Sequence, residues 1–482
     1  MTEQARDEPF RRPLMWLLVV ATAVRVAYLA ESLRLPFLRG PLGDSDVYLA
    51  QAERVVAGDF GHATLLALSP LYGYVLAALG REALLVVAVQ LVLGVAVTGL
   101  IAVEVRRRFG ARAGIAAGLL HLGYGFLLFL ETKLLSDAIG LDLLVAGFVL
   151  YLRRGRAPAL FSGLLFGLAV LARSSFVFSL PLLVLAALVP PRGESLRQAA
   201  QRAGAVAIGI ALVVGANAGW TRMHAGVAVP IIYASSDVNV VARSSRTAWE
   251  GDLRAVALTD SPPGPWDRVH RVEAALAERA PDDLGGALGA VDLAGWFAQL
   301  PHRLFLTLSD HERTFQYGYY GERAETTTLE LLPVTFPALF CLGLIGAAVL
   351  TRTEGARSLA PYLPLVLGAV AATTLAHPSS RYRLAMIVPL LWLGGLAVRW
   401  MWDARGTRLA RGAAAVSLVV VTFGAMRGWT YELRHPEAWE LTLAESYAQG
   451  WQITEAREHA ERARALADDP DTVEPALRRL GL

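Results

Sequence analysis

The 482-residue chain is 55% hydrophobic and only 18% charged, with a formal net charge of +3, a pI near 9.0 and a mean hydropathy of +0.44. That balance excludes a soluble domain of this size and marks a polytopic membrane protein. The basic excess sits in short arginine-rich links between apolar runs, so no nucleic-acid partner is expected, and the single cysteine, Cys341, excludes an intrachain disulfide.

In chain order, Arg6, Arg11 and Arg12 precede LMWLLVVATAVRVAYLA with no small-residue cleavage site after it, which predicts a retained first span rather than a signal peptide. At about 20 mostly apolar residues per crossing, roughly eleven spans are expected. They fall near 14–31, 82–104, 112–130, 134–152, 158–172, 174–190, 203–219, 331–350, 359–376, 384–402 and 411–427. With the N-terminus inside, the links RRRFGAR (106–112), RRGR (153–156), PPRGESLRQAAQR (190–202), TRTEGAR (351–357) and DARGTRLAR (403–411) all face the cytoplasm, the positive-inside pattern. The other side receives a first loop (32–81), the turns at ETK and Arg173, a large segment (220–330), HPSSRYR (377–383) and a tail (428–482).

Within the large segment, SPPGPW (261–266) reads as a turn, DRVHRVEAALAERA (267–280) as an amphipathic helix and WFAQLPHRLFLTLS as an interfacial one. The tail sequence 436–470 resembles one tetratricopeptide repeat through Trp439, Tyr447, Gly450, Ala456 and Pro470. Such repeats bury their apolar faces by stacking, so a lone copy is expected to dock on the membrane domain or a partner.

This topology collects Asp44, Asp46, His62, Glu131, Lys133, Asp137, Arg173, His311, Glu312, His377, Arg381 and Arg383 near one boundary. Ionisable groups at membrane depth are costly and face a wet or protein-lined cavity, so the cluster points to a site where a membrane-embedded anion meets a polar substrate. Lys133 is the only lysine in the chain. The histidines lack tight metal-ligand spacing, and neither a metal nor another cofactor is expected.

The order of Arg25, DSDVY (44–48) followed by AERVVAGDF, and SPLY (69–72) resembles the first extracytoplasmic loop of the GT-C glycosyltransferases. The likeness is to the bacterial family 39 type, relatives of the protein O-mannosyltransferases and of the lipid A aminoarabinose transferase. GLLFGLAVLARSSFVFSLPLL (163–183) is similar to the family's Gly-rich span ending in Arg, and HPSSRYRLAMIVPLL (377–391) to its RYRLP signature, with Ala385 in place of the proline. Glu312 is similar to a family acidic position.

The resemblance implies an all-α GT-C fold in the bacterial cytoplasmic membrane, with the active site in extracytoplasmic loops. It implies inverting transfer of a sugar from a polyprenyl phosphate to an extracytoplasmic lipid, glycan or protein. A hydroxyl acceptor needs one positioned carboxylate as general base; the resemblance gives that role to the first-loop aspartate, Asp44 by its spacing to Tyr48, with Asp46 as the alternative. Guanidinium forks suit the leaving phosphate, which points to Arg381 and Arg383, with Arg173 beside them. Tyr48, Glu312 and Lys133 complete the expected substrate-binding set.

Plainer roles compete. DSD can cap a helix, the arginines of RYR can snorkel to headgroups, and Glu312 can pair with Arg313. The alternative function is a polytopic transporter or lipid-linked-sugar flippase, but the two halves show no mutual similarity and the large external segment is one-sided.

Overall fold

In lipid an apolar run satisfies its backbone hydrogen bonds only as a helix or a closed barrel, and here it does so as helices. The computed structural model describes residues 3–191, 193–233, 265–278, 293–309, 312, 317–376, 379–403, 412, 436–467, 469 and 473–482, among which there is no strand. Helix α1 (Glu3–Ser32) leads through a 3₁₀ turn (Pro36–Leu38) into α2 (Asp44–Val56), α3 (Ala63–Ala67) and α4 (Pro70–Ala78). Then come α5 (Ala83–Phe109), α6 (Ala111–Gly123), α7 (Gly125–Glu131), α8 (Asp137–Tyr151), α9 (Arg156–Ala172), α10 (Leu180–Ala187) and α11 (Leu196–Ala225). The segment beyond α11 contributes α12 (Pro265–Ala277), α13 (Leu293–Leu308), α14 (Tyr319–Glu325) and α15 (Thr327–Glu330). The bundle resumes with α16 (Phe336–Glu354), α17 (Leu363–Ala371), its π-helical extension (Ala372–Ala376) and α18 (Leu384–Asp403), and the tail forms α19 (Pro436–Gln449), α20 (Ile453–Leu466) and α21 (Glu474–Arg479).

Five of these helices, α1, α5, α11, α16 and α18, are each long and apolar enough to cross a bilayer, and α6 with α7, bent by 59°, form a broken span or a re-entrant loop. Shorter helices occupy the expected spans at 134–152, 158–172, 174–190 and 359–376; the expected span at 411–427 lies, apart from residue 412, outside the described residues. The chain is a multi-pass membrane protein. Small residues let its helices approach closely: a methyl group on Gly163 of α9 would fall 2.2 Å from the Val206 carbonyl oxygen of α11, and one on Gly346 of α16 would fall 1.9 Å from that of Leu393 in α18. Helix α18 runs through the middle, with Leu384 to Ala397 buried, whereas α1 turns Met15, Trp16 and Val19 outward to lipid.

Described residues of the links 106–112, 153–156 and 351–357 and Asp403 meet at one end of the bundle. Glu104 binds Arg107 and Arg153, Arg108 approaches Glu354, and Arg112 binds Asp403. The interfacial reading of α13 has a clear basis in its two faces. Gln299, Arg303 and Thr307 are buried against the protein, while Leu293, Phe297, Phe305 and Leu308 are exposed. That inverted pattern suits a helix lying against acyl chains.

Candidate functional site

The site begins at a backbone feature. Gly43 precedes α2 at φ 57°, ψ −117°, a conformation essentially reserved for glycine, and it aims the first turn of α2 at the ends of α8, α9 and α18. No side chain caps α2. Asp44 and Asp46 both sit in its first turn, where the helix dipole favours carboxylates, and they reach in different directions.

Asp44 Oδ2 accepts a hydrogen bond from Arg381 Nη1 at 3.0 Å. Arg381 also donates from Nε and Nη2 to Asp137 Oδ2, at 3.0 and 2.8 Å. Arg173 Nε lies 3.2 Å from the other oxygen of Asp137, and its guanidinium rests 5.3 Å from the centre of the Tyr382 ring. Each group comes from a different element: Asp44 opens α2, Asp137 opens α8, Arg173 closes α9 and Arg381 precedes α18. Asp137 is fully buried, and Asp44 is the most exposed of the four side chains, at 15%. The result is an anchored pair of guanidinium groups with one carboxylate at its open edge.

Tyr48, one turn beyond Asp44, backs this cluster. Its hydroxyl shares a 2.9 Å hydrogen bond with Ser136, the residue before Asp137, and its ring meets Tyr72 edge-on at 5.0 Å. Tyr72 donates to Gln90, whose amide in turn donates to the carbonyls of Glu131 and Lys133. The turn carrying Ser136 and Asp137 is therefore fixed on both sides.

Asp46 accepts from the Trp266 indole N–H at 2.7 Å. This fastens α12 over α2 and α3, with Val269 and Val272 of α12 buried. On the inner side of α2, Ser45 accepts from the Tyr317 hydroxyl at 2.9 Å, and Tyr317 accepts from the Leu42 N–H. Burial pushes the Tyr317 phenol up to about 12, so it stays a donor.

The other expected site residues form two separate buried pairs. Arg383 donates to the carbonyls of Thr307 and Ser309 at 2.9 and 2.7 Å, lies 2.8 Å from Glu312 and stacks 3.8 Å from the centre of the Phe336 ring. Glu312 also accepts from Tyr124 at 2.6 Å. Lys133 Nζ contacts Glu322 at 2.7 Å with both side chains fully buried, between the rings of Phe37 and Phe129. Arg25 grips Glu131 with two 2.7 Å hydrogen bonds. Buried to this depth, Arg381 and Arg383 are not headgroup anchors.

Sequence reasoning placed Asp137 at this boundary but gave it no role, and it overlooked Trp266, Tyr317 and Glu322. An Asp opening an otherwise apolar helix is a usable signal for Asp137; the other three lie in a polar segment where nothing in the pattern sets them apart. Among the described residues, no group of three His, Cys, Asp or Glu side chains is arranged to hold a metal ion; His311 and His377 lie outside the described residues.

No protein-family model and no curated protein sequence matches the chain. Among solved structures it is similar to the archaeal oligosaccharyltransferase AglB from Archaeoglobus fulgidus in complex with an inhibitory peptide and a dolichol-phosphate, at 14% identity and a TM-score of 0.47 over 91% of this chain and 56% of that one. It is also similar to the A. fulgidus oligosaccharyltransferase tethered to an acceptor peptide containing the NVT sequon, at 13% identity and a TM-score of 0.49 over 91% and 55%. A further likeness is to ArnT from Cupriavidus metallidurans in the apo state, at 16% identity and a TM-score of 0.29 over 79% and 78%. The chain thus spans little more than half the length of the archaeal enzymes.

Proposed function

We propose that this chain is an integral-membrane glycosyltransferase of the GT-C kind, moving a sugar from a polyprenyl-phosphate donor to an acceptor hydroxyl on the extracytoplasmic side of a bacterial cytoplasmic membrane. The observation that carries this reading is the Asp44–Arg381–Asp137–Arg173 cluster, with Asp44 at its open edge. The basic links at the other end of the spans support reading that end as cytoplasmic, by the positive-inside rule.

The geometry fits the chemistry step by step. Asp137 holds both guanidinium groups in place, so their positions do not depend on substrate. The donor is a phosphodiester, and its phosphate competes with Asp44 for Arg381. Asp44 is then released toward the acceptor and takes the hydroxyl proton as the acceptor oxygen attacks the anomeric carbon. The bond from that carbon to the phosphate oxygen breaks, and the electron pair leaves with the polyprenyl phosphate. The charge gained by this leaving group falls on Arg381 and Arg173, and a preorganised cation at developing charge is where catalysis gains most. In this reading Asp46 holds α12 over the site, Tyr48 positions Asp137, and the Arg383–Glu312 and Lys133–Glu322 pairs set the walls.

The test uses purified protein in nanodiscs, a panel of labelled polyprenyl-phosphate sugars and candidate acceptors. Release of lipid phosphate that disappears in Asp44→Asn while donor binding persists supports the reading. Full turnover in Asp44→Asn removes Asp44 as base. Failure to bind any such donor, with substrate-dependent uptake into proteoliposomes instead, replaces the enzyme with a transporter.

A further inference from the structure

The C-terminal hairpin is seated on the loop that carries Asp44. Ser446 of α19 donates from its hydroxyl to the Gly40 carbonyl at 2.6 Å. A methyl group on Gly40 would fall 1.8 Å from the Ser446 backbone oxygen, so the seat requires glycine. Seven residues before Ser446, Trp439 packs 5.8 Å from the Phe37 ring, centre to centre, and lies close against two further glycines. Methyl groups on Gly318 and Gly321 would come within 2.9 and 2.3 Å of its indole. Ala444 and Ala460 of the α19–α20 hairpin share a small core with Val473 and Leu477 at α21, so the tail meets the seat as a packed unit.

The seat joins two segments that bracket the start of α2. One contains Phe37 and Gly40 and continues directly through Gly43 to Asp44. The other contains Gly318 and Gly321 and begins at Tyr317, whose hydroxyl ties Leu42 to Ser45 on either side of Gly43 and Asp44. Phe37 and Tyr317 themselves pack edge to face at 5.2 Å. Trp439 therefore touches both arms of the support that fixes the direction of Asp44. A helix start reached through a glycine that any main-chain torsion suits has little stiffness of its own, so its direction is set by what presses on the loop.

We infer that the C-terminal hairpin is a positioning element of the active site, with Trp439 and Ser446 holding the 36–45 loop so that Asp44 faces Arg381. The inference rests on the glycosyl-transfer reading only for its consequence in turnover. Its structural content is independent of which reaction the site performs.

The test is hydrogen exchange on the full-length protein in nanodiscs, comparing wild type, Trp439→Ala, Trp439→Phe, Gly321→Ala and Trp451→Ala. Trp451 is 89% exposed at the tip of the hairpin and serves as the control. Trp439→Ala and Gly321→Ala, the latter displacing the indole while leaving the tail intact, are expected to speed exchange several-fold across 41–52. Trp439→Phe should restore most of the protection, and Trp451→Ala should leave it unchanged. Faster exchange confined to 436–466, with 41–52 unaffected in both Trp439→Ala and Gly321→Ala, overturns the inference. In a turnover assay the loosened variants should lose roughly tenfold to a hundredfold in kcat with donor Kd unchanged, as misplacement by about 1 Å does. If no polyprenyl-phosphate donor is turned over by wild type, the transfer reading fails while the exchange result still decides the role of the hairpin.

Discussion

Asp44 and Arg381 stand 337 positions apart in the chain and meet at 3.0 Å, while the other nitrogens of the same guanidinium hold Asp137. This pairing makes Asp44 both the proposed base and a competitor of the donor phosphate. Asp44→Asn should therefore abolish turnover and at the same time bind donor as tightly as wild type or up to about tenfold more tightly, a gain of up to about 1.4 kcal/mol. Arg381→Lys should behave differently, because a single ammonium cannot span Asp44 and Asp137 as the fork does. Donor affinity is expected to fall by about 10²-fold, or about 2.7 kcal/mol. Equilibrium binding of a fluorescent polyprenyl-phosphate sugar to the two variants separates these outcomes, and weaker binding in Asp44→Asn would remove the competition argument.

The helical architecture was legible because each apolar run has nowhere else to satisfy its backbone in lipid. Asp44, Asp137, Arg173 and Arg381, grouped by their places at the ends of apolar runs, do meet. Their pairing was not legible. Arg381 and Arg383 stand two apart in the same motif, yet one joins Asp44 and the other joins Glu312. Asp44 and Asp46 likewise share one helical turn and reach different elements. Such choices depend on how distant helices pack, and spacing along one element carries no record of that.

The Asp46–Trp266 contact gives a second prediction. If Asp46 fastens α12 over the site, Asp46→Asn keeps an acceptor oxygen and should leave α12 in place, whereas Asp46→Ala removes the bond and should release it. Loss of one hydrogen bond of this kind costs about 0.5–1.5 kcal/mol. Protease sensitivity within 265–277 should rise in Asp46→Ala and in Trp266→Phe but stay at the wild-type level in Asp46→Asn. Equal sensitivity in all three variants would leave α12 held by Val269 and Val272 alone.

Lys133 and Glu322 supply a stability test. Both side chains are fully buried, and removing one partner of such a pair leaves an uncompensated charge at a cost of about 3–5 kcal/mol. Lys133→Met and Glu322→Gln should each lower the midpoint of thermal unfolding in detergent. The double variant Lys133→Met with Glu322→Leu should recover most of that loss, since apolar replacement of both partners is often neutral. Additive losses in the double variant would assign the cost to contacts outside the pair, first the Tyr28 hydroxyl that donates to Glu322 at 2.5 Å.

His62 gives the loop a pH dependence with a definite sign. It opens α3, and its Nδ1 accepts the Thr64 N–H at 3.2 Å, which requires an unprotonated Nδ1. Burial, and then the Arg54 guanidinium, lower its pKa from the ordinary value of 6.5. A histidine held below its ordinary value stabilises the fold fully above about pH 6.5, and that contribution is lost as pH falls through the lowered value. Protonation abolishes the cap, worth about 1 kcal/mol, and against that loss the new charge gains the Asp59 carboxylate and Glu273, the latter 3.8 Å away. Protection factors for the amides of 64–66 should therefore drop several-fold between pH 7.5 and pH 5 in wild type. His62→Asn keeps a capping oxygen and cannot titrate, so its protection should be flat over the same range. A drop of equal size in His62→Asn would assign the pH dependence to other groups of the loop, with the nearby Asp59 and Glu273 carboxylates as the next to replace.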